Sequence, residues 1–197
     1  MIEIREIESR RELVDFVSFP FQLYKGNPYW VPPIVKEELE MLDKKVNPVF
    51  NNALAHYFLA YKDGEIVGRI AAFINWIEIK ELKKSKVRFG WFDVIDDLEV
   101  TKKLIDAVVA IGKQHQMTAI EGPMGFSNMD KAGMLTKGFE ELNTMITWYN
   151  APYYSKHLEK IAFTKQAEWV EYEIKISSFQ DSPEKVKRFS KLILQRY

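Results

Sequence analysis

The run HYFLAYKDGEIVGRIAAFIN, residues 56–75, constrains the fold more than any other part of the chain. Two stretches rich in Phe, Tyr, Ile and Val, side chains that suit a pleated surface, flank Lys62-Asp63-Gly64-Glu65. Asp and Gly accept the positive φ that a tight hairpin turn demands. An antiparallel hairpin from about Ala55 to Trp76 is therefore predicted, and Gly68 in its second strand signals either a bulge or the close approach of another backbone.

Elements before the hairpin follow from spacing. Ile2, Ile4 and Ile7 alternate with charged residues, as in a half-buried first strand. Ser9 and Glu12 have the offset of a capping box, and the helix they open carries Leu13, Phe16, Val17 and Phe19 inward until Pro20 disturbs it. In FQLYKGNPYWVPP, Gly26, Pro28, Pro32 and Pro33 force turns. Tyr24, Tyr29 and Trp30 are too apolar to stand exposed together, so this segment is expected to lie over the sheet as a lid. Val35, Leu39 and Leu42 then mark a second helix over 34–42, ending near Asp43.

After the hairpin, IEIKELKKSK forms a solvated loop or short helix, and VRFGWFDVIDD a long aromatic strand. Val100, Leu104, Ile105, Val108 and Ile111 share one helical face. With a strand at Met117–Glu121 this makes a strand-helix-strand unit, which brings a parallel pair into the sheet. PMGFSNMDKAGMLTKGF is a loop or short helix, YNAPYYSKHLEKIAF starts a helix near Tyr153, and WVEYEIKI is a last alternating strand. Ser182-Pro183-Glu184 opens a final helix, read either as docked on the same domain or as the start of a linker or second domain. The predicted layout is a domain over 1–178 followed by 179–197 as linker or second-domain start, with the chain an N-terminal piece of a longer polypeptide.

Composition narrows the function classes. Lys plus Arg number 28 and Asp plus Glu 28, so the electrostatic footprint of a general nucleic-acid or anionic-membrane binder is missing. With no cysteine, disulfides, thiolate zinc sites and a catalytic thiol are all excluded. His56, His115 and His157 are too dispersed to indicate a metal, and no metal is expected. MIEIREIESRREL has no uninterrupted apolar core, and no apolar run approaches the ~20 residues that span a bilayer. A cytoplasmic protein without a membrane span is the expectation.

The order of elements, with FLAYKDGEIVGRIAAFIN at its centre, resembles the GNAT superfamily of acyl-coenzyme A N-acyltransferases over roughly residues 1 to 176. FPFQLYKGNPYWVPP, GFSNMDKAGML and YNAPYYSKHLEKIAF are similar to a bacterial GNAT-like branch whose members continue into a second domain. The fold this implies is mixed α/β, with a central, mostly antiparallel sheet of six to seven strands, one parallel pair and flanking helices. It also implies an N-acyltransferase that moves an acyl group from acetyl-CoA or another acyl-CoA, bound as substrate, to a small-molecule amine by direct attack in a ternary complex. A homodimer and a second domain are the further partners left open.

The resemblance places the acyl-CoA along Phe92, Val94, Leu98, Val100, Thr101 and Lys102, where splayed strands admit the pantetheine arm and a helix N-terminus holds the diphosphate. Here Glu99 and Thr101 stand where the family has glycines. Asp96, Asp97 and Glu99 suit that helix start as plain caps. Leu158 stands where many members carry a tyrosine that protonates the departing thiolate, leaving Tyr153 and Tyr154, one turn earlier, as substitutes or as cap and core residues.

Asp93 is the candidate base. In a regular strand it shares a face with Trp91 and Phe89, where desolvation raises a carboxylate pKa; a solvent-facing Asp is the alternative. Ser127, Asn128 and Asp130 follow the fifth strand near the expected channel mouth, with Asp130 a candidate site residue, and turn formation alone also accounts for all three. The competing reading of the whole chain is a degenerate GNAT-like domain, without acyl transfer, that binds a ligand or mediates oligomerisation.

Overall fold

The computed structural model describes residues 1–127, 130–143, 147–172 and 183–194. Two compact units result, Met1–Thr164 and Lys165–Tyr197. The second contains helix Glu184–Leu194. The predicted strand WVEYEIKI has no strand pairing over 169–172, and its remainder, like Asn128, lies outside the described residues.

The first unit is built on a five-stranded sheet in chain order: β1 Ile2–Glu6, β2 Ala53–Lys62, β3 Glu65–Asn75, β4 Lys86–Val94 and β5 Ala119–Glu121. All neighbours are antiparallel except β4 and β5, which pair in parallel over three residues. The mixed sheet and its parallel pair agree with the sequence. The count of six to seven strands is corrected to five among the described residues, because the C-terminal apolar run adds no pairing over its described part.

The hairpin turns at Asp63 (φ 53°) and Gly64 (φ 88°), both left-handed as a two-residue turn requires. Gly68 has both properties its position suggested. The register shifts beside it, between Ala60 and Tyr61, and a Cβ there would lie 2.8 Å from Leu104 Cδ1 and 3.3 Å from the Asp93 carbonyl oxygen.

Strand alternation sends side chains to two layers. Phe58, Ala60, Ile70, Ala72, Ile74, Val87 and Phe89 face α4, Leu98–Gln114, and α5, Tyr153–Lys160. Tyr57, Leu59, Ala71 and Phe73 face α1, Arg10–Leu23, and α2, Val35–Leu42. Helix α3, Trp76–Leu82, is the short helix allowed for the charged run. Helix α1 opens with the predicted box: Ser9 N–H donates to Glu12 at 2.8 Å and Glu12 N–H to Ser9 Oγ at 3.2 Å. It runs through Pro20 to Leu23.

The predicted apolar face of α4 is its buried face, and Leu104 at its centre is fully inaccessible. Leu104→Ala is expected to destabilise the protein by about 2–5 kcal/mol. A urea melt should show this as a lower midpoint at unchanged slope.

Candidate functional site

Proline has no N–H, so Pro20 leaves the carbonyl of Phe16, four residues earlier, without its helical donor. Arg69 supplies one: its Nη1 donates to Phe16 O at 2.9 Å. Its guanidinium also lies over the Phe16 ring, 5.1 Å from the centroid. The same side chain donates from Nε to Asp93 Oδ2 at 2.7 Å. Arg69 is 6% exposed and Asp93 7%, so this is a buried pair, tying α1 to neighbouring positions on β3 and β4.

Asp93 reaches this position through a break in β4. Arg69 pairs with Asp93 but Ala71 with Gly90, so one extra residue sits in β4 beside Ile70, with Trp91 at φ 44°. The extra residue reverses the alternation. Phe89 and Phe92 face the α4 layer, whereas Trp91 faces α1 and α2. Asp93 keeps Trp91's side, but the expected company of Phe89 is corrected, since the strand is not regular. Neither is the carboxylate surrounded by apolar groups alone.

Tyr24, the C-cap of α1, donates from its hydroxyl to Asp93 Oδ1 at 2.9 Å. Its oxygen lies 2.9 Å from the hydroxyl of Tyr154, and Val94 N–H donates to Tyr154 Oη at 2.8 Å. Tyr153, beside it on α5, donates to Val94 O at 2.7 Å. Burial, and then the charge of Asp93, push the phenols of Tyr24 and Tyr154 well above their ordinary range. Both remain protonated at any working pH. Sequence reading passed over Arg69 and took Tyr24 only as part of an apolar lid; the available signal for Arg69 was a lone cation in an apolar strand, which requires a buried anion nearby.

Beyond Arg88 and Glu121 the paired backbones of β4 and β5 end. A small, partly open cleft lies there, lined among others by Trp91, Phe92, Asp93, Met134, Trp148, Tyr149 and Tyr154. Asp130 is not one of the lining residues; its carboxylate accepts from Ser127 N–H at 2.7 Å and closes its own turn.

The residues expected along an acyl-CoA lie as follows. Phe92, Val94, Val100 and Thr101 are buried, Leu98 is half-buried, and exposed Lys102 lies 3.4 Å from Glu99 Oε1. At the start of α4, Asp97 Oδ1 accepts from Glu99 N–H at 3.0 Å, and Lys62 Nζ donates to Oδ2 at 2.9 Å. Thr101 Oγ1 lies 2.9 Å from His157 Nδ1, and His157 Nε2 lies 3.1 Å from Asp96 Oδ1, which clips α5 onto α4. Among the described residues no group of three or more His, Asp or Glu is placed to hold a metal, and no helix is long and apolar enough to cross a membrane.

Two measurements follow. Arg69→Leu strands a buried carboxylate and is expected to destabilise the fold by about 3–5 kcal/mol, with Arg69→Leu/Asp93→Leu recovering part of the loss in the same denaturation assay. The Lys62 bond, with the α4 amides, holds the Asp97 carboxyl below its ordinary 3.8. A depressed acid stabilises the fold above its unfolded value and loses that contribution as pH falls through the folded one. The stability advantage of wild type over Asp97→Asn should therefore be complete above about pH 5 and shrink as the pH falls below 3.8, read as urea midpoints from pH 6 to 3.

No family model matches the chain. It is 32% identical to Protein YghO of Escherichia coli (strain K12) over 162 residues, 82% of this chain and 41% of that protein. It is 26% identical to the bacterial ceramide synthase of Caulobacter vibrioides over 188 residues, 95% of this chain and 48% of that protein. The chain thus spans less than half the length of either curated relative. Among solved structures, a predicted acetyltransferase with acetyl-CoA from Clostridium acetobutylicum superposes with a TM-score of 0.56 at 15% identity, covering 88% of this chain and 96% of that one. An aminoglycoside acetyltransferase from an uncultured soil metagenomic sample, in complex with sisomicin, gives 0.51 at 12%, covering 89% and 97%. At such identities the likeness is one of fold.

Proposed function

From a chain that carries the fold of the GNAT acetyltransferases, we propose a cytoplasmic N-acyltransferase that uses acetyl-CoA or another acyl-CoA as donor and a primary amine with an apolar body as acceptor. The observation that carries this reading is the cleft where β4 and β5 part, because it presents Asp93 and Tyr154 together on an otherwise largely aromatic wall. Acyl transfer to nitrogen needs a group that accepts a proton from the amine and one that returns a proton to the leaving sulfur. A carboxylate and a protonated phenol are such groups. The aromatic lining suits an apolar acceptor, and the relative named a ceramide synthase agrees, since a ceramide is the amide of a long-chain amino alcohol.

A second reading, a ligand-binding module without acyl transfer, is favoured by a different observation. The polar points at which the fold family takes its donor are engaged from within: Tyr154 and Tyr153 hold the N–H and C=O of Val94, and Asp97 holds the Glu99 amide. A donor pairing with Val94 has to displace both hydroxyls.

Calorimetric titration of the full-length protein with acetyl-CoA and with long-chain acyl-CoAs separates the readings, together with mass spectrometry of incubations with long-chain amino alcohols, alkylamines and polyamines. The first reading expects saturable heat and an amide from an apolar amine. No heat and no amide with any donor eliminates it in favour of the second.

A further inference from the structure

Hydrogen-bond accounting fixes a direction along the buried network. The carboxylate of Asp93, paired with Arg69, accepts at both oxygens, so the single hydroxyl proton of Tyr24 points to Oδ1. The 2.9 Å contact between the two phenols must then be a donation from Tyr154 to Tyr24. The oxygen of Tyr154 accepts from Val94 N–H. Tyr154 is 1% exposed and Tyr24 6%, and the ring of Tyr24 is fixed between Trp30, 5.4 Å away, and Tyr149, 5.5 Å away and edge-on. Asp93 and Tyr154 line the cleft, whereas Tyr24 is not among its lining residues and joins them from behind.

Resting on the acyl-transfer reading, we propose that Tyr24 is a positioning residue that conducts protons between the two cleft groups, so that for the proton taken from the amine one is returned to sulfur in the same turnover. The amine nitrogen attacks the thioester carbonyl carbon, the C–N bond forms, the C–S bond breaks and its electron pair leaves on sulfur. Asp93 takes one proton from nitrogen. Once Asp93 is neutral the two hydroxyls turn about, so that the carboxyl donates to Tyr24, Tyr24 to Tyr154 and Tyr154 into the cleft; Tyr154 then protonates the thiolate, Tyr24 reprotonates Tyr154 and Asp93 reprotonates Tyr24, which restores the resting directions. Each hydroxyl ends with one proton and Asp93 ends as a carboxylate, so amine plus thioester gives amide plus thiol with the protein unchanged. Lacking Tyr24, the same turnover strands a neutral acid at Asp93 and a phenolate at Tyr154, in an interior that penalises an uncompensated charge.

The test uses full-length protein and the donor and amine that wild type turns over fastest. Tyr24→Phe keeps the ring between Trp30 and Tyr149 and removes only the conducting hydroxyl. It is expected to lower kcat on the order of 10²-fold, the scale of a lost acid–base group, with both KM values within about twofold. In mixtures of H2O and D2O the wild-type kcat should follow a curved proton inventory, the mark of several protons in flight, and Tyr24→Phe a linear one, whereas loss of a purely structural tyrosine leaves the curvature in place. Tyr24→Phe within about threefold of wild-type kcat, or a linear wild-type inventory, overturns the relay while acyl transfer stands. Where Tyr24→Phe does not fold, as judged by circular dichroism, the wild-type inventory decides. No amide from wild type with any donor overturns the proposed function and the relay together.

Discussion

One missing hydrogen-bond donor organises this molecule. Because Pro20 has no N–H, the carbonyl of Phe16 is left open on the inner side of α1, and a buried carbonyl must find a partner. Arg69 is that partner, and a guanidinium at 6% exposure requires an anion in turn, which Asp93 provides. Tyr24, reached only because α1 continues past Pro20 to its C-cap, completes the shell of Asp93 and passes the contact on to Tyr154 of α5. Helices on both faces of the sheet are thus tied through one ion pair. Each link is mandatory for a physical reason of its own, so a change in any of them propagates to the cleft.

The bulge in β4 converts that anchoring into a cavity. A regular β4 would turn Trp91 towards the α4 layer together with Phe89 and Phe92 away from it; the extra residue instead sends Trp91 to the α1 side and brings Phe92 to the α4 side. Trp91 is held there by its indole N–H, which donates to Glu38 of α2 at 2.5 Å. Gly90 permits the arrangement, since a Cβ there would overlap the carbonyl oxygen of Met124 in the segment that leaves β5. With β5 only three residues long, the far half of β4 has no strand partner on that side. The cleft occupies the place where a longer β5 would have continued.

Much of this architecture was legible in the residues. The hairpin, the Ser9 and Glu12 box, the buried stripe of α4 and the parallel pair all rest on local chemistry or on a period that a single segment displays. The face of Asp93 was not legible, because parity is inherited along a strand and a bulge of one residue inverts it with no local marker stronger than Gly90. Arg69, and the polar role of Tyr24, were missed for a related reason: their common partner Asp93 is 24 and 69 residues distant. Pro20 was read correctly as a disturbance, yet what it disturbs is a single carbonyl rather than the course of the helix. Among the described residues the strand count is lower than the sequence suggests because the apolar residues at 169–172 form no strand pairing.

Scaffold and chemistry separate most clearly at the first turn of α4. A helix start attracts anions through its unpaired N–H groups, and in this chain the anion is its own: Asp97 sits on the Glu99 amide and is itself held by Lys62 of β2. Asp96 is drawn to His157, and Glu99 to Lys102. Three carboxylates within four residues, each with a cation or imidazole beside it, make a self-contained cap. A diphosphate arriving there meets like charges and must exchange an intramolecular partner for an intermolecular one, which loses the advantage of a ligand that is always present. A donor bound by this chain therefore has to draw its affinity from the aromatic cleft and the edge of β4 more than from the helix start. On the proposed function, that weighting would favour donors with a large apolar acyl group over acetyl-CoA, in which the diphosphate end forms a greater share of the molecule.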